Sequence, residues 1–155
     1  MFGKSMVEYV RFERGILAAI LVVGLVRLVL SLSGAPVGVV KPASMTVAAV
    51  VGVAYCGVWT AVRGFGSYRH LLPLLFFQAV LVHAITIVGI ALAGVTGRAN
   101  VFTAPEYSNL PNYLPHALGH MAGMVVFPLL LWPVAALLMW ATKAIRGGAT
   151  SQARA

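Results

Sequence analysis

The chain has 155 residues, of which 61% are hydrophobic and 9% charged. A globular domain carries roughly a quarter of its residues as charges, so a water-facing surface cannot be built here and the bilayer is the implied solvent. The net charge of +8 does not indicate nucleic acid, because the basic residues stand singly at the ends of apolar blocks, where anionic lipid headgroups are the matching counter-charge.

Residues 1–14 place Phe2, Met6, Tyr9 and Val10 at helical spacing between Lys4, Glu8 and Arg11, the pattern of a segment lying on the membrane surface. The first apolar block covers 15–33. It is too long for a signal-peptide core and contains Arg27, so a retained helix is expected. A Gly- and Pro-rich turn, Gly34 to Pro42, separates it from a second block at 44–62.

The third block, 71–93, has Pro73 in its first turn, where a missing N–H does least harm. The fourth, 116–142, contains Pro128 and Pro133, which predict a kink. Between them, Gly94 to Pro115 forms a long outer loop with Phe102, Tyr107 and Tyr113, placed to cap the mouth of the bundle. Residues 143–155 read as a flexible tail.

Each block is long enough to cross about 30 Å of hydrocarbon at 1.5 Å per residue. The expected fold is therefore all-α, a polytopic membrane protein with four transmembrane helices in an up-down bundle spanning 15–142. Lys4, Arg11, Arg14, Arg63, Arg69, Lys143, Arg146 and Arg154 fall on one side, against Lys41 and Arg98 on the other. The positive-inside rule then puts both termini in the cytoplasm of a bacterial plasma membrane. Small residues at fourfold spacing, Ala48, Gly52, Cys56 and Thr60 in the second helix and Gly119 and Gly123 in the fourth, predict close helix packing.

The chemistry-bearing residues are few. His116, His120 and Met124 share one stripe of the fourth helix with Met121 beside it, a donor set that suits copper through imidazole and thioether groups. His83 lies inside the third helix, so haem b held by His83 with His116 or His120 is the sharpest cofactor hypothesis. Its weakness is depth, since His120 sits about one turn from the outer boundary and His83 about two. Ordinary interhelical histidine hydrogen bonds are the competing structural reading.

Arg27 lies within a span, where a cation costs about 2.5 to 3.5 kcal/mol on insertion scales. Glu106 is the acidic residue on that side, so an Arg27–Glu106 pair pinning the loop is expected. Arg27 reaching the headgroups is the alternative. His70, beside Arg69, is expected to be solvated, and the lone Cys56 to be a protonated, inert thiol.

Gly52, Tyr55, Cys56 and Trp59 form a stripe read chiefly as packing. Glu8, Glu13 and Glu106 are the only acids, so paired-carboxylate catalysis has no partner inside the membrane and no enzyme is indicated. Three functions follow. The first is an accessory or structural subunit of a larger membrane complex, with other subunits or self-association as partners. The others are a haem- or copper-binding redox protein and an oligomeric small-solute transporter or channel.

Overall fold

The computed structural model describes residues 1–103 and 113–152, with side chains described to residue 147. The helices are α1 (Met6–Leu32), a short α2 (Val37–Val40), α3 (Met45–Val62), α4 (Leu71–Thr96) and α5 (Tyr113–Gln152), with a 3₁₀ turn at Tyr68–His70 before α4. Among the described residues there is no strand, and α1, α3, α4 and α5 are each long and apolar enough to cross a membrane.

The first helix starts a full two turns earlier than its apolar block. Ser5 Oγ accepts the Glu8 N–H at 3.3 Å, and Glu8 Oε2 accepts the Ser5 N–H at 2.7 Å. This capping box satisfies two otherwise orphaned N–H groups and sets the helix start ahead of the charged residues. Residues expected to lie along the surface are thus the first turns of α1. Ser44 caps α3 more simply, its Oγ accepting the Val47 N–H. Gly97, at φ +68°, closes α4 in the left-handed conformation that a side chain disfavours. α5 runs unbroken through Pro128 and Pro133 and on to Gln152, past the expected end at 142.

Contacts fix the arrangement. Tyr55 Oη donates to Phe12 O, joining the second half of α3 to the first half of α1. Trp132 Nε1 donates to Tyr68 O, joining α5 to the start of α4, and Arg146 donates to Ala61 O and Val62 O at the end of α3. The helices alternate in direction, with both termini and the 63–70 connection at one end, called here the terminal end. α4 is central: 50% of its most apolar window is buried, against 11% for α1 and 17% for α5.

Two apolar cores stack along the bundle. The one near the termini includes Tyr9, Val53, Cys56, Leu74, Ala135 and Met139. The distal one includes Ile20, Met45, Ile85, Ile90 and Phe102. Outward faces such as Val22, Val29, Leu130 and Leu137 are more than half exposed, which lipid accommodates at no cost and water does not.

At the distal end, residues 97–103 fold back into the bundle. Asn100, 1% exposed, donates from Nδ2 to Gly89 O at 2.7 Å and accepts the Phe102 N–H at Oδ1. Phe102 rests where a Cβ on Gly89 would stand. The remainder of the expected outer loop, 104–112, lies outside the described residues, and with it Glu106 and the expected Arg27–Glu106 pair.

Candidate functional site

Three histidines meet in the distal half. His83 Nδ1 stands 2.8 Å from His120 Nδ1, and His120 Nε2 stands 3.2 Å from His116 Nε2. Both are hydrogen-bond distances between nitrogens. The fourfold spacing of His116 and His120 sets their rings side by side on one face of α5, tilted by 40° with centroids 4.9 Å apart. His83 reaches them because Gly123 has no side chain: a Cβ there would stand 2.7 Å from His83 Cε1 and Nε2. Phe127 stacks on the His83 ring, at 5.3 Å between centroids.

The depth mismatch expected from the sequence is absorbed by an offset of the helices. His83 is thirteen residues from the end of α4 and His120 seven from the start of α5, so α4 projects roughly 9 Å further at the distal end.

The expected ligand set is only partly assembled. His83, His116 and His120 come together, while Met121 is 56% exposed and Met124 half-buried. Among the described residues no three His, Cys, Asp or Glu side chains converge on a point that could hold a metal ion. The 3.2 Å between His116 Nε2 and His120 Nε2 would also suit two ligands about 2.1 Å from one ion. A haem iron between His83 and His120 would need its two nitrogens about 4 Å apart, so the observed 2.8 Å contact would have to open first.

The histidines border a cavity of about 680 Å³ between the distal halves of α3 and α5, floored by α4. The two helices touch at the other end, where a Cβ on Gly57 would stand 2.6 Å from Ala135 O. Met45, Ala49, Val53, Val82 and Leu131 give the wall its apolar character, with Arg27, Gln78 and Thr86 as further polar groups. No carboxylate is among the described lining residues. Gly119 lines the cavity with open space above it, so it does not serve the helix contact that its spacing suggested.

A second polar cluster lies toward the termini, and the sequence reading missed its key member. Glu13 is fully buried, and its Oε2 accepts from Gln78 Nε2 at 2.8 Å, with Cys56 Sγ at 3.8 Å. Gln78 Nε2 also lies 3.1 Å from Cys56 Sγ. Gly52 makes room for the Gln78 amide, since a Cβ there would collide with it. An acid therefore does stand inside the bundle, with Cys56 packed against it and Gly52 against its partner Gln78.

The signal was the helical stripe Tyr9, Glu13, Ile20 and Gly24, all buried on α1, obscured by Arg11 and Arg14 alongside. His70, expected in solvent, is 7% exposed. Its Nδ1 takes the Ser67 N–H at 3.0 Å, and its Nε2 contacts Phe2 O at 3.0 Å.

The fold and site together define a small polytopic integral membrane protein with a polar-edged cavity in one half of its bundle. No protein-family model, curated protein or solved structure matches the chain.

Proposed function

We propose that this protein binds an amphipath with an anionic oxygen head, a carboxylate or a phosphate, and an alkyl body. The observation that carries the reading is the lining of the 680 Å³ cavity: apolar walls edged by one guanidinium and three imidazoles. Cavities of this size enclose small amphipathic ligands, with a few polar groups fixing their orientation. Arg27 supplies fixed positive charge about 7.5 Å, or five residues, before the end of α1. A charge-assisted hydrogen bond from it is stronger than a neutral one.

Equilibrium binding of palmitate, hexadecyl phosphate and hexadecanol to the protein in nanodiscs tests the reading. The anions should bind at least tenfold more tightly than the alcohol, and Arg27→Gln should remove that preference. Equal binding of all three, or none, overturns it. Whichever anion binds more tightly distinguishes a fatty carboxylate from a lipid phosphate.

The role of accessory subunit is supported by a different feature. Gly15, Ala18, Ala19 and Val22 lie exposed at helical spacing on α1, a small-residue face of the kind that seats a neighbouring membrane helix. Substituting Gly15→Leu with Ala18→Leu should dissolve a larger native complex, and a wild-type chain that migrates alone from mild detergent contradicts this role. Haem or copper binding and solute transport draw on the same histidines and cavity, with no separate feature favouring them. The basic residues at the terminal end support its placement on the cytoplasmic side of the membrane.

A further inference from the structure

We propose that His83, His120 and His116 form a proton wire that carries a proton between the middle of α4 and the distal end of the bundle. The inference stands on the ring geometry and does not depend on what occupies the cavity.

Both ring nitrogens of His120 are engaged, Nδ1 with His83 and Nε2 with His116. A neutral imidazole carries one N–H and one bare nitrogen, so it donates on one side and accepts on the other. The middle ring thereby forces both contacts to run in the same direction. When His83 donates from Nδ1, His120 donates from Nε2 to His116, whose proton sits on Nδ1, and His83 Nε2 is a bare acceptor. When His116 donates from Nε2, His120 donates from Nδ1 to His83, and His83 Nε2 carries the proton. The His83 nitrogen outside the chain is thus an acceptor in one state and a donor in the other.

The interconversion moves one proton. A proton added at His83 Nε2 lets His83 release its Nδ1 proton to His120 Nδ1. His120 then passes its Nε2 proton to His116 Nε2, and His116 releases its Nδ1 proton at the distal end. Three neutral rings begin and end the sequence, one imidazolium exists at any moment within it, and every N–H broken is matched by one formed. Around the chain, α1 contributes the fixed charge of Arg27, α3 contributes no titratable lining side chain, and α4 contributes the uncharged Thr86 and Gln78. Phe127 shields the His83 ring face.

The test uses the full chain in nanodiscs with ¹⁵N-labelled histidine, in which nitrogen shifts show which ring atom holds the proton. Lysine is a donor only and a carboxylate an acceptor only. His116→Lys should drive His83 to the Nε2–H tautomer, and His116→Glu should drive it to Nδ1–H. In a His120→Phe background the two variants should leave His83 alike. The proposal fails if His83 has one tautomer in both variants, or if it responds equally without His120. Should either variant not fold, ¹⁵N–¹⁵N coupling across the hydrogen bonds of the unaltered chain decides: coupling in both pairs is expected, and its absence between His83 and His120 overturns the wire.

Discussion

Glu13 on α1 and Gln78 on α4 hold each other inside the bundle through a 2.8 Å hydrogen bond, although sixty-five residues separate them in sequence. Neither is more than 2% exposed. Removing one partner leaves the other's polar group buried and less satisfied, while removing both removes the penalty as well. Gln78→Leu should lower stability by about 1–3 kcal/mol, and adding Glu13→Leu should restore part of that loss. Reversible unfolding in mixed detergent, run as a double-mutant cycle, measures the coupling, and additive losses would show that the pair does not interact.

Helix contact is sharply uneven along the glycines. A Cβ at Gly57 meets the backbone oxygen of Ala135 at 2.6 Å, whereas one at Gly119 meets nothing within 4 Å. Gly57→Ala must push α3 from α5 and should cost about 1–3 kcal/mol, as overpacking does. Gly119→Ala should leave stability within about 0.5 kcal/mol of the parent. Thermal unfolding of the two variants side by side checks the contrast.

Gly119 offers a way to close the cavity without disturbing the packing beneath. Gly119→Leu projects a side chain into the space that Arg27 and His120 border. It should weaken palmitate binding at least tenfold while the unfolding midpoint is unchanged. A variant that binds as the parent does would place the ligand elsewhere.

Asn100 ties the distal segment to α4 through its Nδ2, which donates to Gly89 O, while its Oδ1 accepts the Phe102 N–H within the segment. Asn100→Leu leaves the Gly89 carbonyl and the Phe102 N–H without these partners and should destabilise by about 1–3 kcal/mol. Hydrogen exchange should rise first at 97–103. Uniform loosening of all four spans would instead indicate a global role.

Much of this architecture was legible in the residues. The expected 44–62 and 71–93 became Met45–Val62 and Leu71–Thr96, because twenty or so apolar residues bounded by Gly and Pro leave little choice of where a span begins. The start of α1 was missed although Ser5 and Glu8 have capping-box spacing; neighbouring charges made the segment look interfacial. The three histidines were named from residue type and fourfold spacing. Their contact was not derivable, since it depends on the offset of α4 against α5 and on Gly123 admitting the His83 ring. Glu13 was hidden for a related reason. Its burial comes from the partners across the bundle, Gln78 and Cys56, which no single-helix pattern identifies.

The most direct test of the ligand-binding account is photocrosslinking with a diazirine-bearing palmitate in nanodiscs, followed by mapping of the labelled peptides. Label concentrated on the cavity-facing stretches of α3 and α5, Met45 to Val53 and His116 to Leu131, and displaced by excess palmitate is the predicted result. Label spread over outward positions such as Val22, Val29 and Leu137, and unaffected by competitor, would contradict it.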